Sequence, residues 1–178
     1  MILTSSAFDN GGTIPRKYGY KNENFSPPLT ITQVPKEAKS LVLIMDDPDA
    51  MGAVGKVWVH WILWNIPSST REIAENSIPQ NSIEGKTDFD EIGYGGPAPP
   101  DKEHTYIFKL YALDTKLDSL EGSDRSILDD QPCQSTEERR KWIVDEIVRQ
   151  EPPGDSSDYL YMAGMYFKLA EIYTDLNM

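Results

Sequence analysis

The run Val57-Trp58-Val59-His60-Trp61-Ile62-Leu63-Trp64-Asn65-Ile66 constrains this chain more than any other stretch. Its residues are β-branched or aromatic, and Pro67 ends it, so it reads as a strand. With a period of two, Trp58, His60, Ile62 and Trp64 share one face, and Val57, Val59, Trp61 and Leu63 share the other. Both faces are apolar. A strand of this kind must be covered on both sides, which places it centrally in a layered, mainly β structure.

Two more runs supply neighbours. Ser40-Leu41-Val42-Leu43-Ile44-Met45 is a short apolar strand that stops at the turn-like cluster Asp46-Asp47-Pro48-Asp49. Thr105 to Leu113 is the third strand, with His104, Tyr106, Phe108 and Leu110 on one face. Between the second and third lies Gly93-Tyr94-Gly95-Gly96-Pro97-Ala98-Pro99-Pro100, which is neither helix nor central strand, because prolines lack the N–H that either requires.

Beyond residue 114 the texture changes. Ser135-Thr136-Glu137-Glu138 has capping-box form, and Ile143/Ile147 with Val144/Val148 follow at i,i+4 spacing before Pro152-Pro153-Gly154. This predicts a helix. A second helix is expected over about Asp158 to Tyr173, apolar almost all round and therefore buried against the sheet or in a subunit interface of a homodimer. At 178 residues the chain fits one domain spanning 1–178.

The formal net charge of −12 argues against nucleic acid and anionic membrane surfaces as partners, since both attract basic patches. A small anionic ligand is compatible with it, because local donors outweigh a global field. No stretch approaches the roughly 20 apolar residues of a membrane span, so no integral membrane association is expected. The single Cys133 has no internal disulfide partner, and the start Met1-Ile2-Leu3-Thr4-Ser5-Ser6 lacks the basic and apolar regions of a signal peptide. A cytoplasmic protein is the expectation.

Chemistry concentrates around the two histidines. His60 sits mid-strand among tryptophans, where an unpaired polar ring is costly to bury. Read locally, it is equally a core histidine satisfied by a carboxylate or a backbone oxygen. His104 opens a strand directly after the Gly/Pro loop. Asp47 and Asp49 flank Pro48 at another strand end, either as turn formers or as cleft residues. The loop is a rigid connector or, alternatively, a backbone that approaches a ligand with N–H groups free to donate. No G-x-S-x-G elbow, G-x-x-x-x-G-K-[ST] loop or G-x-G-x-x-G fingerprint is present. No H-x-x-x-H or C-x-x-C spacing supports a metal, and neither metal nor cofactor is expected.

Several of these segments, taken in order, resemble the phosphatidylethanolamine-binding protein family, in its bacterial and archaeal Raf-kinase-inhibitor-like branch. They are Asp47-Pro48-Asp49-Ala50, Trp58-Val59-His60-Trp61 with Asn65-Ile66-Pro67, Gly93 to Pro100, and His104-Thr105-Tyr106-Ile107-Phe108. Upstream, Asn24-Phe25-Ser26-Pro27-Pro28-Leu29 and Thr87-Asp88-Phe89 resemble it too. The likeness covers about residues 1–118.

The resemblance implies a large antiparallel sheet packed on a smaller one, with peripheral helices. It also implies a pocket for phosphate, phosphoryl headgroups or similar oxyanions, formed by Asp47, Asp49, Trp58, His60, Gly96, Ala98, Pro99, His104 and Tyr106. In such a pocket Tyr106 and the histidines would donate to the anion, His104 and Tyr106 from the cleft mouth, with the Gly96 to Ala98 backbone adding donors. An acidic side chain repels an anion, so Asp47 or Asp49 is expected instead to orient His60 or to share a proton with the ligand. The chain departs from the family at Met51, where a proline is usual, at Thr105 for an arginine, at Ile31 for a tryptophan and at Met165 for a histidine. Residues 121–158 read as a family-atypical insertion with its own helix. The expected role is non-enzymatic binding of a small anion. The alternative is a protein-interaction inhibitor of a kinase or serine protease, and a hydrolase pairing His60 with Asp47 lacks an evident nucleophile.

Overall fold

The computed structural model describes residues 1–118 and 121–124 and, beyond them, the backbone of four short strands. In chain order the strands are β1 (Ile2–Ser5), β2 (Gly12–Ile14), β3 (Leu29–Thr32), β4 (Ser40–Asp47), β5 (Trp58–Pro67), β6 (Glu72–Ile73), β7 (Ile83–Glu84) and β8 (Ile107–Leu113). The later four are β9 (Ile143–Asp145), β10 (Ile147–Val148), β11 (Tyr161–Ala163) and β12 (Met165–Tyr166). Among the described residues the helices are a 3₁₀ turn, Arg16–Tyr18, and a five-residue helix α1, Ala50–Val54.

The larger sheet has five strands in the order β7-β5-β4-β8-β9, and its named pairs are antiparallel. The smaller sheet has three, β1-β3-β6, again antiparallel. β5 and β4 are therefore interior strands, as their two-sided apolar pattern requires. One core cluster joins the two sheets, with Leu3, Ile31 and Ile73 from the smaller and Leu43, Met45, Trp61, Leu63, Phe108 and Leu110 from the larger. The other face of β4 and β5 carries a second cluster of Val42, Ile44, Ile62 and Trp64 with Leu113 and Leu117. Trp61 and Trp64, on opposite faces, are both fully buried. The mainly β, two-sheet architecture predicted from the sequence is the one the chain adopts.

Several strand boundaries and both predicted helices differ from the sequence prediction. β4 runs on through Asp46 and Asp47 instead of stopping at Met45. These acids stay in the ladder because each has a cation or imidazole beside it: Lys109 Nζ donates to Asp46 Oδ2 at 2.6 Å, and His104 to Asp47. β8 begins at Ile107, two residues later than predicted, and β5 ends on Pro67. The helices predicted from Ser135 to the residue before Pro152 and over about 158–173 are not what the described backbone forms there. β9 pairs with β8, β10 with β12, and β11 with β2. Ile143, Val144, Ile147 and Val148 are β-branched, and in so short a window i,i+4 spacing does not exclude a strand. The capping box at 135–138 lies outside the described residues.

Candidate ligand-binding site

The site is built on an irregularity in β5. Met45 of β4 faces Trp61, but the next residue, Asp46, faces Val59, so β5 spends an extra residue, His60, at this point. Such a bulge redirects the inserted side chain. Ile62 and Trp64 belong to the second cluster, whereas the His60 ring meets Tyr106, a member of the first, edge to face at 5.0 Å. The sequence places His60 on one face with Ile62 and Trp64; the bulge breaks that alternation.

His60 is 2% exposed. Its Nδ1–H donates to the Gly95 carbonyl at 2.7 Å and the Gly96 carbonyl at 3.0 Å. The Gly95 N–H returns a bond to the His60 carbonyl at 2.8 Å. His60 is therefore oriented by the glycine loop rather than by Asp47 or Asp49. The loop reaches this position because two glycines allow it. A Cβ on Gly96 would land on the Tyr18 carbonyl, and one on Gly95 would meet the Phe89 ring at 2.5 Å. Burial pushes the His60 imidazole down to about 4, with the two accepting carbonyls pulling back only in part.

The remaining walls are aromatic. Phe89 stands edge to face with His60 at 5.3 Å and with Trp58 at 5.4 Å, and stacks on Tyr20 at 4.1 Å. Phe89 is held by its neighbours: Asp88 Oδ2 accepts the Val59 N–H at 2.7 Å, and Asp88 Oδ1 accepts from Lys56 Nζ at 2.7 Å. The indole N–H of Trp58 is buried and has no hydrogen-bond partner among the described residues.

Next to this lies a second imidazole in a different state of use. His104 is 2% exposed, and both ring nitrogens are spent on carboxylates, Nδ1 on Asp47 Oδ2 at 2.6 Å and Nε2 on Asp101 Oδ1 at 2.8 Å. The other Asp47 oxygen accepts the N–H groups of Asp49 at 2.9 Å and Ala50 at 3.1 Å. Burial pushes the Asp47 carboxyl up; His104 and the two N–H groups offset it in part. Asp49 Oδ2 accepts the Thr105 N–H at 2.7 Å, tying the start of α1 to the approach to β8.

Of the predicted residues, the structure joins His60 to Gly96 and Tyr106 and, through Phe89, to Trp58. It joins Asp47 and Asp49 to His104 and Thr105. His104 and Tyr106 are buried rather than at a mouth. The Gly96 N–H donates to Asn24 Oδ1 at 2.8 Å, which leaves Ala98 as the N–H of the Gly96 to Pro100 segment not interrupted by proline or given to Asn24. Pro97 takes part through its carbonyl, which accepts the Tyr20 N–H at 3.0 Å. Pro99 is buried nearby in sequence. Four participants had no role in the sequence prediction: Phe89, Asn24, Asp88 and Asp101. The signal for Asn24 is its left-handed backbone, φ 56°, which asparagine tolerates and which a Ser-Pro-Pro neighbourhood does not reveal. No group of three or more His, Cys, Asp or Glu suited to a metal occurs among the described residues.

The sequence profile of phosphatidylethanolamine-binding proteins matches residues 4–152. The chain belongs to the phosphatidylethanolamine-binding protein family. The match runs past residue 118, where the recognisable motifs end. A UPF0098 protein of Methanothermobacter thermautotrophicus is 46% identical over 130 residues, covering 70% of this chain and 84% of that protein. One from Chlamydia trachomatis is 44% identical over 124 residues, covering 68% and 82%. Among solved structures, a phosphatidylethanolamine-binding protein homolog from Chlamydia trachomatis superposes with a TM-score of 0.70 at 35% identity, covering 93% of this chain and 96% of that one. YbcL of Escherichia coli, described as a new member of the mammalian family, superposes with a TM-score of 0.66 at 29% identity, covering 71% and 85%. Within the family frame, Ile31 fills the fully buried core of the smaller sheet and Met51 lies half exposed on α1. No helix among the described residues is long and apolar enough to cross a membrane.

Proposed function

We propose that the chain is a binding module for a small phosphate-like group, held between His60, Trp58, Ala98 and Tyr106. The observation that carries this reading is the redirected His60. A polar ring placed mid-strand by a bulge, fixed through one nitrogen and walled by Phe89 and Tyr106, is a costly arrangement for a core to keep without a use. Trp58, which like His60 packs against Phe89, supplies a buried indole N–H without a partner among the described residues, and a buried donor is where an oxyanion gains most from a hydrogen bond. The role proposed is binding rather than catalysis, for a phosphoryl headgroup or a free phosphate compound.

Thermal unfolding with increasing inorganic phosphate tests it. Phosphate should raise the melting temperature with saturation, and Trp58→Phe, which keeps the ring and removes the N–H, should weaken the effect about tenfold, the worth of one hydrogen bond. A melting temperature that ignores phosphate would remove the reading.

A further inference from the structure

Carbonyl oxygens only accept hydrogen bonds, so the nitrogen of His60 that faces the Gly95 and Gly96 carbonyls must carry the ring hydrogen. In the neutral ring the other nitrogen, Nε2, is then a lone pair. The hydrogen bonds of the ring among the described residues are those of Nδ1, and none reaches Nε2. A bare oxyanion placed against that lone pair meets repulsion, whereas an oxygen bearing a hydrogen meets an acceptor. We infer that the ligand of this site is a protonated oxyanion, one whose P–OH donates to His60 Nε2 while its charged oxygens take the donors opposite. The inference rests on the proposed phosphate-like ligand and narrows it to hydrogen phosphate and phosphomonoester monoanions.

The surroundings keep His60 in that role. Asp88 acts on it from the segment beside β5, but Asp88 is itself occupied by Lys56 and the Val59 N–H. From β8's approach, His104, whose nitrogens are held by Asp47 and Asp101, acts to keep the His60 ring neutral. Phe89 and Tyr106 contribute ring edges. Burial also holds the imidazole neutral at physiological pH.

Four ligands separate the possibilities by titration calorimetry on the unaltered protein at pH 6.5 and 8.5. Inorganic phosphate keeps a P–OH at both values, so its affinity should change by less than a few-fold. Sulfate has nearly the same shape and, at pH 8.5, the same charge as hydrogen phosphate but no O–H, and should bind at least tenfold more weakly. Phosphoethanolamine, a monoester, loses its hydrogen near pH 6, so its affinity should fall on the order of a hundredfold between the two values, with uptake of one proton per ligand at pH 8.5. Glycerophosphoethanolamine, a diester with no P–OH, should bind no better than sulfate, which also separates a lipid headgroup from a free monoester. Sulfate equal to phosphate, or phosphoethanolamine binding independent of pH, overturns the inference and leaves the phosphate-like reading standing. If none of the four binds, both fall together.

Discussion

Asp47 and His104 meet at 2.6 Å where the end of β4 faces the approach to β8, and both side chains are essentially sealed from solvent. The second carboxylate on His104, that of Asp101, is half exposed. Asp47 additionally holds the turn into α1 through the Asp49 and Ala50 N–H groups. The two carboxylates are thus unequal partners of one imidazole.

Asp47→Ala should therefore destabilise the protein by about 3–5 kcal/mol, the range for breaking a buried pair and stranding its partner. Asp101→Ala should shift the urea midpoint little, because water replaces an exposed carboxylate. Urea unfolding of both variants checks the ordering, and equal losses would contradict it.

The glycine pair makes a similar graded prediction. At Gly96 the obstacle to a Cβ is backbone, the Tyr18 carbonyl, and at Gly95 it is the Phe89 ring. A ring can tilt, although its stack on Tyr20 resists. Gly95→Ala should cost about 1–3 kcal/mol, and Gly96→Ala more than that, with loss of the His60 anchor. Melting temperatures in the reverse order would show that the loop, not the ring, is the yielding part.

Acid should expose the state of His60. Its folded pKa of about 4 lies below the 6.5 of a free imidazole, so the unfolded chain binds the proton more readily between those values. This contribution is fully present above pH 6.5 and is lost as pH falls towards 4, by about 3 kcal/mol in all. Asp47 works the other way. Its raised pKa contributes stability that is present below the unfolded carboxylate value near 4 and is lost as pH rises through the folded one. The difference between wild type and His60→Gln isolates the histidine: the fall in unfolding free energy from pH 7 to pH 4.5 should be smaller in the variant, which keeps only the Asp47 and other carboxylate contributions. A wild-type slope that survives the substitution would assign it elsewhere.

The interior position of β5 was readable because a two-sided apolar run such as Trp61 to Trp64 announces a central strand. What periodicity does not reveal is a bulge. The extra residue at His60 changes no residue type, yet it moves the ring from the Ile62 and Trp64 side to the Tyr106 side. The partner of His104 is equally hidden: nothing in the sequence pairs Asp47 with His104 rather than His60, and the loop that holds His60 does so with carbonyls, which every residue possesses. In the region after residue 114, β-branched residues at helical spacing satisfy both periods at once, and tertiary pairing with β8 and β2 decides.

A second bulge gives the last prediction. Leu41 faces Ile66 and Leu43 faces Leu63, so β5 again carries an extra residue, and Asn65 there adopts φ 53°. Its amide is fully used. Nδ2 donates to the Leu117 carbonyl at 2.9 Å, and Oδ1 accepts the Leu117 N–H at 2.9 Å, pinning a residue that is 3% exposed in the second core cluster. Asn65 therefore supplies a left-handed backbone and two hydrogen bonds, and the two roles separate by substitution. Asn65→Gly keeps the backbone and loses the bonds, which should cost about 1–3 kcal/mol. Asn65→Ala loses the bonds and also forces a Cβ into the left-handed region, adding roughly 1 kcal/mol or more. In both variants the Leu117 amide should lose its protection from hydrogen exchange while amides within β4 keep theirs. Glycine proving worse than alanine, or a Leu117 amide as protected as in wild type, would show that the segment after β8 is held by its apolar contacts and not by Asn65.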